Sequence, residues 1–135
     1  METEIKDVGK GYAETIAELI GAINADVWPI EIDGEMYEDQ DAVYTRICEI
    51  PISVLVRGGW CTPADLRAEP VEYELLLGTG GPACRIVGEL NCYGEAYTAE
   101  MEWQDRGTPW TPTRGLSEAE YAAILQFAQR FCFAT

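Results

Sequence analysis

The chain contains no histidine, only two lysines among its nine basic residues, and no C-x-x-C pair. Because a serine–histidine triad needs histidine as its base, that class of hydrolase is excluded. Protein metal sites are built mostly from closely spaced cysteines and histidines, so we predict neither a metal nor a cofactor. The five cysteines are interpreted as free, mostly buried thiols in a reducing compartment: Cys48, Cys61, Cys84, Cys92 and Cys132.

Long apolar runs are also missing, and none approaches the ~20 residues that a membrane-spanning helix needs. The first six residues mix acidic and basic side chains, which is unlike a secretory signal peptide. We therefore expect a cytoplasmic protein. With 135 residues the chain is predicted to form a single domain over 1–135, with residues 1–9 as a flexible tail.

What the sequence has in excess is acid, since 24 aspartates and glutamates against nine bases give a formal net charge of −15. Such a field repels nucleic acid and anionic membranes, so neither is expected as a direct partner. It favours cationic partners, above all the basic grooves that normally hold DNA or RNA. A second interpretation stays open, in which the acidity only keeps the protein soluble.

The clearest pattern is an alternation of apolar and polar residues in three segments, Val71–Leu77, Ala83–Leu90 and Thr98–Gln104. Side chains alternate between the two faces of a strand, so these segments predict an antiparallel sheet with one dry face and one wet face. The wet face holds most of the charged residues of this region: Glu72, Glu74, Arg85, Val87, Glu89, Glu100, Glu102 and Gln104.

The loop lengths predict how these strands pair. A four-residue loop at 78–81 places Glu74 opposite Arg85, and a two-residue turn at 93–94 places Arg85 opposite Glu102. Arg85 is then expected between two glutamates, in a cross-strand charge ladder. Three carboxylates of the wet face would remain without a basic partner: Glu72, Glu89 and Glu100.

The segments around these strands predict helices and further strands. Apolar residues at helical spacing indicate a helix over about 10–25, and a capping box starts another at Ser117. A short helix is predicted over about 41–48, after a hairpin that turns at Asp33–Gly34. Residues 52–57 are apolar on both faces, which predicts a well-buried strand. The fold class is therefore α+β, an antiparallel sheet of about four strands with two long helices packed on one face.

The segment 31–41 contains six acids and no base. It is interpreted either as a solvated loop or as an anionic arm that docks arginine or lysine of a partner. Carboxylates spaced like backbone phosphates can occupy a DNA-binding groove, because arginine binds both groups bidentately. The candidate partner-binding residues come from this segment and from the wet face: Glu31, Asp33, Glu35, Glu38, Asp39, Asp41, Glu72, Glu89 and Glu100.

Signals for catalysis are weak, so we predict that the protein is not an enzyme. The glycine-rich residues 78–81 lead into a proline and a strand, which is typical of a hairpin turn and not of a phosphate loop. An enzymatic alternative would depend on a thiol near an arginine, Cys61 or Cys84, or on a hidden pair of carboxylates. Trp60 and Trp110 lie beside glycine and proline turns and are expected to cover the edge of the core, in preference to anchoring a partner.

Three motifs resemble a set found in small, uncharacterised proteins of phages and other bacterial mobile elements: Gly80–Ala83, Val87–Leu90 and Gln104–Thr111. The likeness covers roughly the last half of the chain, and the set often has tryptophan where this chain has Arg106. The size, the acidity and the lack of catalytic residues also resemble those of the anti-CRISPR and anti-restriction inhibitors. The resemblance implies a phage-type protein in the cytoplasm of a bacterial host and names no activity.

Charge and resemblance together predict an inhibitor of a bacterial defence complex, and an anti-CRISPR protein is the favoured class of inhibitor. It would bind a basic nucleic-acid-binding host protein or complex, such as a Cas effector, and block DNA access as a DNA mimic. Two alternatives stay open, an acidic accessory protein without mimicry and a small-molecule sponge or sensor with a pocket of glycine-rich turns and tryptophans. A nucleotide would fit such a pocket only where Arg57, Arg85 and Arg106 converge.

Overall fold

The computed structural model describes residues 7–64, 69–79 and 82–133. These residues form three helices and seven strands, in the order α1 (Gly9–Ala25), β1 (Ile30–Ile32), β2 (Glu35–Tyr37), α2 (Gln40–Glu49), β3 (Ser53–Gly58), β4 (Pro70–Gly78), β5 (Ala83–Glu89), β6 (Glu100–Gln104), β7 (Thr111–Pro112) and α3 (Glu118–Ala128). β1 and β2 pair as a hairpin, and the other five strands form an antiparallel sheet in the order β3-β4-β5-β6-β7. The predicted α+β class is confirmed, but the main sheet has five strands where about four were predicted. The short helix predicted over about 41–48 is present as α2, and the predicted hairpin is present as β1 and β2.

The two long helices lie on one face of the sheet. α1 and α3 pack against each other, and both contact β6. Ile16 and Ile20 of α1 share one core cluster with the dry face of the sheet, where Leu75, Ile86 and Met101 are fully enclosed. This enclosure follows the alternation of the sequence. None of the described helices combines the length and the apolar character that crossing a membrane requires.

Local sequence signals set the ends of several elements as predicted. The Ser117 hydroxyl accepts a hydrogen bond from the Glu120 N–H, and the Glu120 carboxylate accepts one from the Ser117 N–H, so the capping box is present. Asp33 and Gly34 both have positive φ angles, 52° and 80°, as the predicted hairpin turn requires. α2 begins at Gln40, slightly before its predicted start at about 41, and Asp39 caps it by accepting a hydrogen bond from the Ala42 N–H.

The pairing of the central strands agrees with the prediction only in part. Arg85 lies opposite Glu102, which confirms that half of the predicted register. Glu74 lies opposite Val87 and not opposite Arg85, because β4 and β5 are offset and a bulge interrupts their ladder close to the turn. That half of the prediction is wrong, although the observed offset keeps Glu74 and Arg85 on the same face.

β3 differs most from its prediction. It is an edge strand that pairs only with β4 in the described chain. Val54 and Val56 point to the helical side and Leu55 to the other side, yet 43%, 44% and 56% of their surfaces stay exposed. The prediction of a well-buried strand is wrong, because α1 and α3 lie over β6, towards the opposite edge of the sheet. Trp60, which was expected to cover the core edge, is fully exposed just beyond β3.

The start of the described chain is held by hydrogen bonds. Asp7 accepts them from the Gly9 N–H, the Arg114 N–H and the Thr113 hydroxyl. Gly9 is buried as the first residue of α1. Residues 7–9 of the predicted tail are thus attached to the connection between β7 and α3, while its first six residues lie outside the described part. Residues 80 and 81 of the glycine-rich loop lie outside it as well.

Candidate functional site on the open face of the sheet

We call the side of the five-stranded sheet that points away from α1 and α3 the open face. Its residues are half-buried or exposed, in contrast to the enclosed residues on the helical side. The strand registers place the five wet-face glutamates of the sequence on this one surface. The open face comprises Ser53, Leu55, Arg57, Glu72, Glu74, Leu76, Arg85, Val87, Glu89, Glu100, Glu102 and Gln104.

Arg85 occupies the centre of the open face. Its guanidinium donates hydrogen bonds to the carboxylates of Glu74, at 2.7 Å, and Glu102, at 2.9 Å, so it lies between two glutamates as predicted. The Trp110 ring stacks on the same guanidinium, with 4.2 Å between Arg85 Cζ and the ring centroid. Charge-assisted hydrogen bonds and a cation–π contact together fix the position of Arg85. Trp110 therefore covers a charged group, where the sequence predicted that it covers the core edge.

A second arginine occupies the edge of the open face. Arg57 Nε and Nη2 donate hydrogen bonds to one oxygen of Glu72, at 2.9 and 2.7 Å. The prediction that Glu72 lacks a basic partner is wrong, because the pairing of β3 with β4 brings Arg57 directly opposite it. Both side chains are largely exposed to water, so this ion pair contributes at most about 1 kcal/mol to the stability of the fold.

A shallow depression of ≈ 520 Å³ lies between the two arginines on the open face. Leu55 and Val87 give it apolar walls, and Glu72, Glu89 and Glu100 give it carboxylates. Glu89 lies directly opposite Glu72 in the ladder, which is an unfavourable pairing of like charges. Partial burial, and then the negative charge of Glu102, raise the pKa of Glu100 above its usual value. A cation in the depression would reduce the repulsion between Glu72 and Glu89 and would stabilise the ionised form of Glu100.

The six acids of segment 31–41 are all exposed, but they lie elsewhere. They belong to the β1–β2 hairpin and to the start of α2, and both elements contact α1. Two of these acids have structural roles, since Asp33 accepts a hydrogen bond from the Thr15 hydroxyl at 3.0 Å and Asp39 caps α2. The segment is therefore the predicted hairpin followed by the start of the predicted short helix, and it presents its six acids to solvent from these two elements.

The nine candidate partner-binding residues thus divide into two surfaces. Glu72, Glu89 and Glu100 line the depression on the open face. The other six belong to the layer formed by the helices and the hairpin, on the opposite side of the sheet. Sequence reasoning did not group Leu55 and Arg57 with these carboxylates, because no partner strand had been assigned to β3. The pairing of β3 with β4 is the signal that adds them to the site.

One of the two candidate catalytic thiols, Cys84, is enclosed in the core. Among the five cysteines only Cys84 is buried and the other four are exposed, so the prediction of mostly buried thiols is wrong. Burial, and then the negative charge of Asp7, raise the pKa of the Cys84 thiol to about 12. Its Sγ lies 3.3 Å from the sulfur of Met101 inside the core. This thiol stays protonated near neutral pH, and it has no path to a substrate in solution.

Comparisons with known proteins point to no function, so a functional proposal has to be argued from the chemistry of the open face. No family model, no curated protein and no solved structure matches the chain. Within the described residues, no cluster of three or more cysteine, aspartate or glutamate side chains could hold a metal ion. The open face remains the strongest candidate site, because it joins a depression and apolar walls with two carboxylates, Glu89 and Glu100, that form no ion pair within the described residues.

Proposed function

We propose that the protein binds a basic, nucleic-acid-binding surface of a bacterial defence protein through its open face and so blocks access of DNA. A CRISPR effector is the first candidate partner, because the size and the acidity of the chain resemble those of anti-CRISPR inhibitors. The observation that carries the proposal is the depression, where Glu72, Glu89 and Glu100 lie together beside apolar walls.

A basic side chain of the partner would make three favourable contacts in this depression. Its charged group would approach Glu89 and Glu100, and it would reduce the repulsion between Glu89 and Glu72. It would also favour the ionised form of Glu100. The aliphatic stem of an arginine or lysine would lie against Leu55 and Val87, as long basic side chains do on apolar surfaces.

The net charge of −15 adds a long-range attraction to these contacts. A field of this strength steers a basic partner towards the protein and raises the association rate, and salt screens it. The proposed complex should therefore form quickly at low salt and weaken as the ionic strength rises. The same property makes the protein a competitor of DNA, whose phosphates are attracted to the same basic groove.

The depression also supports a second candidate function, the binding of a small molecule. Its volume falls in the range of ligand pockets, about 300–1,000 Å³. Arg57 and Arg85 line it, but each is held by glutamates, and Arg106 is not among the described residues around it. The three arginines that a nucleotide would need do not converge, so a small organic cation such as a polyamine suits this surface better than a nucleotide.

Two matched double variants test which surface binds the partner. Glu89→Lys with Glu100→Lys reverses two charges of the open face, and Glu31→Lys with Glu35→Lys makes the same change in net charge on the hairpin. Each protein is added to purified CRISPR effectors of several types, and DNA binding by the effector is measured. The open-face variant should need a concentration at least about tenfold higher to inhibit DNA binding, because its lysines would face the basic groups of the partner. The hairpin variant should inhibit nearly as well as the parent.

Other outcomes contradict parts of the proposal. Equal losses in both variants would mean that net charge alone acts, without a site on the open face. Inhibition that both variants retain in full would exclude charge mimicry by either surface. If no effector responds but spermidine raises the melting temperature of the parent and not of the open-face variant, the small-molecule function replaces the proposed one.

A further inference from the structure

β3 leaves one edge of the five-stranded sheet open. In the described residues no strand pairs with its outer side, so its outward-pointing backbone groups have no ladder partner. Natural sheets normally protect such an edge with charge, proline or a covering element. Here the edge is surrounded by large apolar side chains that are each at least 40% exposed: Ile52, Val54, Leu55, Val56, Trp60 and Val71. A cluster of large exposed apolar side chains around one edge marks an interaction site more often than scattered ones do.

The charge of this edge indicates what can cover it. Residues 51–59 contain one arginine and no acid, although the whole chain has a net charge of −15. A second copy of this acidic chain would meet less repulsion at β3 than at β4 or β6, both of which carry glutamates. A basic partner, in contrast, would find no carboxylate on this strand. The edge is therefore suited to the same chain and not to the partner of the open face.

We infer that two copies of the chain pair through β3, antiparallel and centred on Leu55. The sequence Val54-Leu55-Val56 reads the same in both directions. Antiparallel self-pairing therefore places Val54 opposite Val56 of the second copy and Leu55 opposite its own equivalent. Odd-numbered residues then lie opposite odd-numbered ones, and even opposite even. Because alternate residues of a strand point their N–H and C=O groups to the same side, the outward-pointing groups of one copy face those of the other. The result is an isologous interface, the commonest kind in homodimers.

This pairing has a direct consequence for the open face. Two antiparallel neighbouring strands are related by a dyad that runs perpendicular to the sheet, so the open faces of both copies lie on the same side. The two five-stranded sheets become one continuous sheet, with Arg57 of each copy beside the seam. The dimer presents a carboxylate surface about twice as wide as that of one copy. The inference depends on β3 alone and stands whether or not the proposed function is correct.

Sedimentation velocity of the full chain at several salt concentrations tests this inference. We expect a species of twice the chain mass of 15.0 kDa, more abundant at higher salt because screening reduces the repulsion between two acidic copies. Leu55→Glu should raise the dimer dissociation constant about tenfold or more, because like charges then face each other across the dyad. Met36→Glu makes the same change in charge at an exposed residue of β2 and should leave association unchanged.

A complementation experiment separates loss of pairing from loss of folding. Leu55→Lys alone should also be monomeric, whereas an equimolar mixture of Leu55→Lys and Leu55→Glu should form a heterodimer, because opposite charges now meet. A parent chain that stays monomeric at every salt concentration overturns the inference. So does a dimer that Leu55→Glu leaves intact, or a mixture of the two folded variants that stays monomeric. Binding of a basic partner weakens with salt while this dimer strengthens, so failure of one proposal is distinguishable from failure of the other.

Discussion

Glu100 and Glu102 lie two residues apart on the open face of β6, but their surroundings differ. Glu102 accepts a hydrogen bond from Arg85 at 2.9 Å. Glu100 lines the depression, where partial burial and the charge of Glu102 raise its pKa. Ionised Glu102 therefore has a stabilising partner, whereas ionised Glu100 costs free energy of folding. The depression carries an unfavourable charge that a cationic partner would stabilise.

Neutral substitutions at these two residues should act in opposite directions. Because the folded state raises the pKa of Glu100, its ionised form destabilises the fold at pH 7 and its protonated form does not. Glu100→Gln should increase the free energy of unfolding at pH 7, by less than about 1 kcal/mol since the side chain stays partly in water. Glu102→Gln should lower it by about 1–2 kcal/mol, because Arg85 loses a charged partner.

Urea unfolding of the two variants and the parent between pH 4 and pH 8 measures these differences. The gain in Glu100→Gln should shrink as the pH falls through the raised pKa and vanish below about pH 4.5, the usual value for a glutamate. A gain that persists unchanged at low pH, or a loss at neutral pH, would show that the carboxylate of Glu100 is not destabilised in the folded protein.

At the residue scale, the sequence predicts which face of the sheet a side chain lies on, but not which side chain of a neighbouring strand it contacts. Alternation placed the five glutamates on one face, since that inference needs only the two-residue period of a strand. It did not identify the partner of Glu72, because an ion pair between strands depends on which strand is the neighbour. The motif residue Gly88 shows a related limit, because a Cβ there would collide with the Thr98 carbonyl, a contact that a sequence pattern does not specify.

At the scale of elements, prediction succeeded where local chemistry determines the structure. The period of α1, the capping box of α3 and the turn at Asp33–Gly34 all have local physical causes. β3 was mistaken for a buried strand, because an apolar run does not reveal whether a helix covers it. β7 was missed because two residues with a proline give almost no strand signal.

The capping box gives a prediction for α3 as an element. Ser117→Ala removes the acceptor for the Glu120 N–H and should destabilise the fold by about 1 kcal/mol, as loss of a helix cap usually does. Thr45→Ala removes a hydroxyl from the exposed side of α2 and serves as the control, with no loss expected because alanine favours a helix. Thermal unfolding followed by circular dichroism compares them. Equal melting temperatures for Ser117→Ala and the parent would mean that the cap does not stabilise α3.

At the scale of the whole molecule, the excess of acid is divided between two layers. The hairpin and α2 carry one group on the helical side, and the open face carries the other. The sequence does not show whether these groups form one site or two, because the packing of the helices on the sheet determines how far residues 31–41 lie from residues 72–100. That separation makes the two matched pairs of charge reversals informative, since each changes one surface and leaves the other intact.

Chemical-shift mapping of the backbone amides during titration with an arginine-rich peptide tests the central claim most directly, because both acidic surfaces are observed in one sample. At low salt we predict shifts concentrated in β4, β5 and β6 around Glu89 and Glu100, and their reversal when salt is added. Shifts confined to residues 31–41, or no shifts at low salt, would contradict the assignment of the open face as the surface that binds a basic partner.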